Sequence, residues 1–152
     1  MLSADAALDR TTDLIARAVR AGATAADAVY GGSASRDVSV RLGVLEDVGS
    51  SESAEIGLRV FVGQRSATAS TSDFSTASIE ALIERTVAMA RLAPEDKFAG
   101  LAPAELLTSG PFAAFDTNDN QDVSPEALKA RALAAEDAAL AYVKPVGFDL
   151  NN

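Results

Sequence analysis

A chain of 152 residues is long enough for one domain that buries roughly 70% of its unfolded surface. Its 48% hydrophobic and 23% charged residues are the balance of an ordinary globular protein. A net charge of −9 repels phosphate backbones, no Lys/Arg cluster offsets it, and nucleic-acid binding is excluded as a first reading. With no His and no Cys, the chain forms no disulfide, no Ser–His or Cys–His pair and no typical zinc site.

The start, "MLSADAALDR", has neither a basic n-region nor an apolar h-region, and no apolar run approaches the roughly 20 residues that cross a bilayer. The cytoplasm is the expected compartment. Residues 3–21 form the first predicted helix, with Leu8, Ile15, Ala18 and Val19 on one stripe. Ser3 or Asp5 caps its start, and Gly22 supplies a left-handed stop.

Four strands are predicted next: "ADAVYGG" (26–32), "DVSVRLG" (37–43), "EIGLRVFVG" (55–63) and "RSATAST" (65–71). The third places Ile56, Leu58, Val60 and Val62 inward and Arg59 outward. A serine-rich stretch, "GSSESAE" (49–55), reads as a loop, and "GQR" as a tight turn. A second helix spans about 75–92, capped by Asp73 or Ser75 and ended before Pro94, with Ile79, Leu82, Ile83, Val87 and Ala90 on its apolar stripe. Residues 94–123 read as an irregular linker. A third helix runs over 124–143 from Ser124-Pro125, leading toward a further domain, and 144–152 read as a tail. The expected fold is α+β: an N-terminal helix, a four-stranded antiparallel sheet, then two further helices packed on the sheet, with residues 1–93 as its core.

Three stretches hold residue types that could do chemistry. Ser66, Thr68, Ser70, Thr71 and Ser72 offer hydroxyls, but a nucleophilic hydroxyl needs a base beside it and the chain has no His. The plainer reading is a narrow strand on which Ala67 and Ala69 let a helix approach. In "DTNDNQDVSPEA", Asp116, Asn118 and Asn120 sit at positions 1, 3 and 5 of a calcium loop. Gln121 replaces its turn glycine and Ala127 its bidentate Glu, which favours a polar linker. Arg41, Arg59 and Arg65 lie on or beside the sheet, either as solvated charges that discourage edge association or as anchors for an added peptide strand.

"GLRVFVGQRSATASTSDFS", followed by "ALIERTVAMARLAPEDKFAGL", resembles the N-terminal domain of the TldD/PmbA family. Its "ARLAPEDKFAGL" segment (90–101) is closer to the PmbA (TldE) branch. The resemblance implies a cytoplasmic protein of a family named both as modulators of DNA gyrase and as metalloproteases. It also implies a homodimer or a pairing with a TldD-like subunit, and flexible peptides as substrate. The zinc would sit in an HExxxH motif of the TldD-type subunit; this chain has no such motif, so no catalytic or metal-binding residue carries over and no cofactor is expected in it. Arg41, Arg59, Arg65, Ser70, Thr71 and Ser72 are the expected contacts with peptide or partner, with no nucleic acid and no membrane involved. The alternative is a non-enzymatic module that binds and modulates another protein, such as DNA gyrase.

Overall fold

The computed structural model describes residues 2–108, 110, 117 and 121–143. In chain order it contains α1 (Ala4–Arg20), β1 (Ala25–Arg41), β2 (Val44–Val62), β3 (Arg65–Thr71), α2 (Thr76–Leu92), a short 3₁₀ turn (Ala104–Leu106) and α3 (Pro125–Val143). The class is α+β as expected, but the antiparallel sheet has three strands in the order β1-β2-β3, not four.

The missing fourth strand has two causes. The predicted strands 26–32 and 37–43 are one strand, β1, running through "SASR" without a break, and the predicted loop 49–55 belongs to β2. Gly and Ser have poor strand propensity, but pairing along a long hairpin outweighs it; the Ser33 and Ser53 hydroxyls even bond to each other at 2.9 Å. The real break is the two-residue turn at Leu42 and Gly43, whose φ angles of 55° and 76° are those of a type I′ hairpin turn. Leucine at the first position hides that turn, because a non-glycine residue rarely takes a positive φ.

The chain divides into two units, Met1–Ser33 with Ser53–Phe112, and Ala34–Glu52 with Ala113–Asn152. In the first, the inner face of the sheet lies under α1 and α2. Ile56, Leu58 and Val60 of β2 join Ala26 of β1, Leu14 and Ala18 of α1, and Ile79, Leu82, Ile83, Val87 and Ala90 of α2 in one core. Each large side chain fully buried there contributes about 1.5–3 kcal/mol. Ala67 and Ala69 of β3 pack against this core while Ser66, Thr68 and Ser70 are exposed, so the hydroxyl-rich strand is narrow where α2 lies on it.

On α1 the inward stripe is Leu14 and Ala18 with Ala7 and Thr11 half-buried, whereas Leu8 and Val19 are exposed. With few large apolar residues on α1, the i, i+4, i+7 row led by Leu14 buries best. Ser3 caps α1 by accepting from the Ala6 N–H, and Ser75 caps α2 by accepting from the Ser78 N–H. Thr86, the buried polar side chain, donates to the Leu82 carbonyl one turn earlier at 2.6 Å.

In the second unit, Ser124 caps α3 by accepting from the Ala127 N–H. Leu128, Ala132, Leu133, Glu136 and Leu140 form the helix's half-buried stripe. The Glu136 carboxylate accepts from the Leu42 N–H at 2.6 Å and from the Gly43 N–H at 2.7 Å, so α3 holds the hairpin turn from its backbone. Arg36 of β1 pairs with Asp122 and also donates to the Val123 carbonyl. Asp116, Asn118 and Asn120 of the calcium-loop reading, and the tail 144–152, lie outside the described residues.

Candidate functional site

Because side chains alternate along a strand, the helix-free face of the sheet collects the other set of residues. Register fixes its neighbours: Gly57 lies opposite Ser70, Arg59 opposite Thr68 and Phe61 opposite Ser66. Arg59 crosses to β1 and grips Asp27 with two parallel bonds, Nε to Oδ1 at 2.9 Å and Nη2 to Oδ2 at 2.5 Å. Those bonds and the Asp27 charge raise the Arg59 pKa further, so the guanidinium is permanently charged.

Arg59 also covers Phe61, whose ring centroid lies 5.2 Å from the guanidinium carbon. Phe61 is only 3% exposed although it belongs to the helix-free face. Reading the sequence for alternation missed it; the signal was the unbroken apolar run Val60-Phe61-Val62, which marks a strand end where the outward side chain is covered as well. Thr24 ties the strand ends together beside it, its N–H donating to the Phe61 carbonyl at 2.8 Å and its hydroxyl to the same carbonyl at 3.0 Å.

Two shallow depressions follow one another along the strands from Arg59. One, of about 320 Å³, is lined by Asp27, Val29, Gly57, Arg59 and Thr68. A methyl group on Gly57 would meet Val29 Cγ1 at 3.3 Å, so the glycine keeps the depression open where the strands approach. The other, of about 450 Å³, is lined by Gly31, Gly32, Ser33, Ser53, Glu55 and Ser72. Ser70 donates to the Glu55 carboxylate at its margin.

The six residues singled out from the sequence do not form one constellation. Arg59 and Ser70 share the helix-free face, and Ser72 lines the depression that Glu55 borders. The Thr71 hydroxyl accepts from the Asp73 N–H at 3.1 Å, in the turn that leads to α2. Arg65 donates to the Arg91 carbonyl at 2.9 Å and pairs with Glu95 at 3.2 Å, anchoring the segment after α2. Arg41 pairs with Glu46 across the hairpin turn, within the second unit. Among the described residues the Ser70 hydroxyl donates to the Glu55 carboxylate, and the sequence has no His to pair with a hydroxyl of this face.

Among the described residues no group of side chains fits a zinc ion. The sequence offers no His or Cys, and the described residues hold no group of three acidic side chains able to grip a metal. The described helices include none long and apolar enough to cross a membrane.

Residues 26–90, which take in most of the sheet and nearly all of α2, match the family described as PmbA/TldA metallopeptidase domain 1. The Metalloprotease PmbA homolog of Haemophilus influenzae is 35% identical over 128 residues, covering 81% of this chain and 27% of that protein. The chain carries a PmbA/TldE-like N-terminal domain. Metalloprotease PmbA of Escherichia coli is 33% identical over 108 residues, covering 68% of this chain and 23% of its own length. The PmbA/TldE-like domain thus spans about a quarter of the curated relatives it matches.

Among solved structures, TldE from Thermococcus kodakarensis superposes with a TM-score of 0.68 at 18% identity, over 88% of this chain and 29% of that one. A candidate modulator of DNA gyrase from Bacteroides thetaiotaomicron gives 0.75 at 16% identity, over 99% of this chain and 33% of that one. At such identities the PmbA/TldE-like domain shares their fold.

Proposed function

We propose that this chain is a non-catalytic domain of a PmbA/TldE-like subunit, supporting a zinc metallopeptidase that acts on flexible peptides. The metal chemistry belongs to a TldD-type partner, because this sequence has no zinc ligands of the usual kind. The observation that carries the reading is the one-sided sheet: α1 and α2 cover one face, while Asp27, Arg59, Thr68 and Ser70 are polar on the other and β1 is an edge strand. An extended peptide added beside such a strand gains main-chain hydrogen bonds irrespective of its sequence, which suits a peptidase for unfolded segments. The curated relatives' name, metalloprotease, supports the same assignment.

The test is a full-length protein containing this domain, mixed with its TldD-type subunit and zinc and offered an unstructured peptide. The expected result is cleavage that requires both subunits and whose KM rises several-fold in Arg59→Glu with kcat little changed. A complex that cuts no flexible peptide overturns the reading. Stoichiometric capture of a protein partner by this chain without any peptidase subunit would favour the binding-module alternative.

A further inference from the structure

On the helix-covered side of the first unit, a separate cavity of about 190 Å³ opens beside α1, β2 and the start of α2. It has room for about six water volumes, the scale of one amino-acid residue. Its lining includes Leu14 and Ile56, which are 1% and 0% exposed, so its floor is the core itself. Phe74 forms a wall, and Arg10, Asp13 and Arg17 supply the charges, all three from successive turns of α1.

The state of the two arginines is informative. The Arg10 guanidinium lies 5.6 Å from the centroid of the Phe74 ring and has no carboxylate partner among the described residues. Arg17 pairs with Asp13 and Glu80 only at 3.6 Å, too long for a hydrogen bond to either. In a chain with 22 acidic side chains against 13 basic ones, carboxylates are not scarce. Two guanidinium groups with donors to spare face a small cavity with an apolar floor.

We propose that this cavity binds an α-carboxylate attached to an apolar side chain, either an N-acyl amino acid or the C-terminal residue of a peptide. Arg10 takes the carboxylate with its planar fork of donors, and Arg17 adds a second positive charge. The apolar side chain rests against the half-buried Phe74 ring, above the buried Leu14 and Ile56. Asp13 accepts the ligand's amide N–H and repels an acidic side chain, which restricts the ligand to one negative charge. The chemistry of the cavity is independent of whether the assembled protein cuts peptides.

The experiment is an amide ¹H–¹⁵N titration of this chain with N-acetyl-leucine, and with N-acetyl-leucinamide as the uncharged counterpart. Saturable shifts are expected around Phe74 and the Arg10 turn with the carboxylate and not with the amide. Arg10→Gln should weaken binding by about tenfold or more, the loss of one charge-assisted contact. Arg20→Gln, an exposed change on the same helix away from the cavity, should leave binding intact. A flexible pentapeptide ending in a free leucine separates the two sources: it binds equally if peptide ends are the ligand, and poorly if the site takes only small acyl amino acids. No saturable response to N-acetyl-leucine, an equal response to the amide, or equal losses in Arg10→Gln and Arg20→Gln would each overturn the assignment.

Discussion

In the unit built on α1 and α2, Leu14, Ile56, Leu58, Val60 and Leu82 are at most 1% exposed, whereas no described side chain of the hairpin 34–52 or of α3 is fully buried. The first unit is held by apolar burial, which is non-directional and summed over many contacts. The second is held by placed polar groups: Glu136 on two turn N–H groups, Arg36 on Asp122 and the Val123 carbonyl, and Arg41 on Glu46. Removing one atom group from the first leaves a cavity; removing one from the second leaves a donor that water can serve. The two regions should therefore answer mutation on different scales.

The sharpest contrast sets Leu82→Ala against Leu45→Ala. Leu82 is 1% exposed, and its truncation should lower unfolding stability by about 2–5 kcal/mol. Leu45 is 40% exposed on the hairpin, and the same truncation should cost about 0.5 kcal/mol or less. Urea denaturation measures both, and comparable losses would erase the distinction between the regions. Next in size is Glu136→Ala, which deletes two charge-assisted bonds and should cost about 1–2 kcal/mol. Hydrogen exchange should quicken at the Leu42 and Gly43 amides while core amides keep their protection; unchanged exchange at the turn would mean that Glu136 does not hold it.

How much of this was legible in the sequence follows the same division. The α2 stripe, the Ser3, Ser75 and Ser124 caps and the inward set Ile56, Leu58 and Val60 were readable, because each is written in spacings of two to four residues. The strand count was not, since Ser33, Ser35 and the serines around 50–53 have loop propensity that only cross-strand pairing overrides. The Glu136 contact joins residues 94 positions apart, and no local pattern announces it. On the helix-free face, Arg59 was placed correctly as an outward residue, but its grip on Asp27 and its cover of Phe61 depend on register. Arg41, Arg59 and Arg65 read alike along the chain because the sequence shows charge without showing the partner.

Two smaller effects refine the comparison. Leu42→Asn should stabilise the turn by up to about 1 kcal/mol, because asparagine tolerates the φ of 55° that strains leucine and the leucine side chain is 55% exposed. A lowered denaturation midpoint would show that the leucine side chain outweighs its backbone strain. The smallest effect is a pH dependence at α2. The Asp73 carboxylate accepts from the Ser75 N–H and also from the Ser78 hydroxyl, which holds its pKa below the ordinary aspartate range. Its contribution is complete above the unfolded pKa of about 3.9 and fades as pH falls through the lower folded value. Stability followed from pH 6 downward should decline less steeply in Asp73→Asn than in the parent; identical slopes would remove Asp73 from the cap.

The two-residue turn at Leu42 and Gly43 has a kinetic side as well. Residues 25 and 62 are far apart in sequence, yet each pair along β1 and β2 can form beside one already made, so the loop to be closed stays short throughout. A long hairpin built this way closes like a zip from its tip, and its non-local pairs cost little more chain entropy than local ones. Relief of strain at the tip should then appear as faster folding, with the unfolding rate nearly unchanged, in the chevron of Leu42→Asn. If only the unfolding limb moves, the strands instead meet first above the core, and the tip closes last.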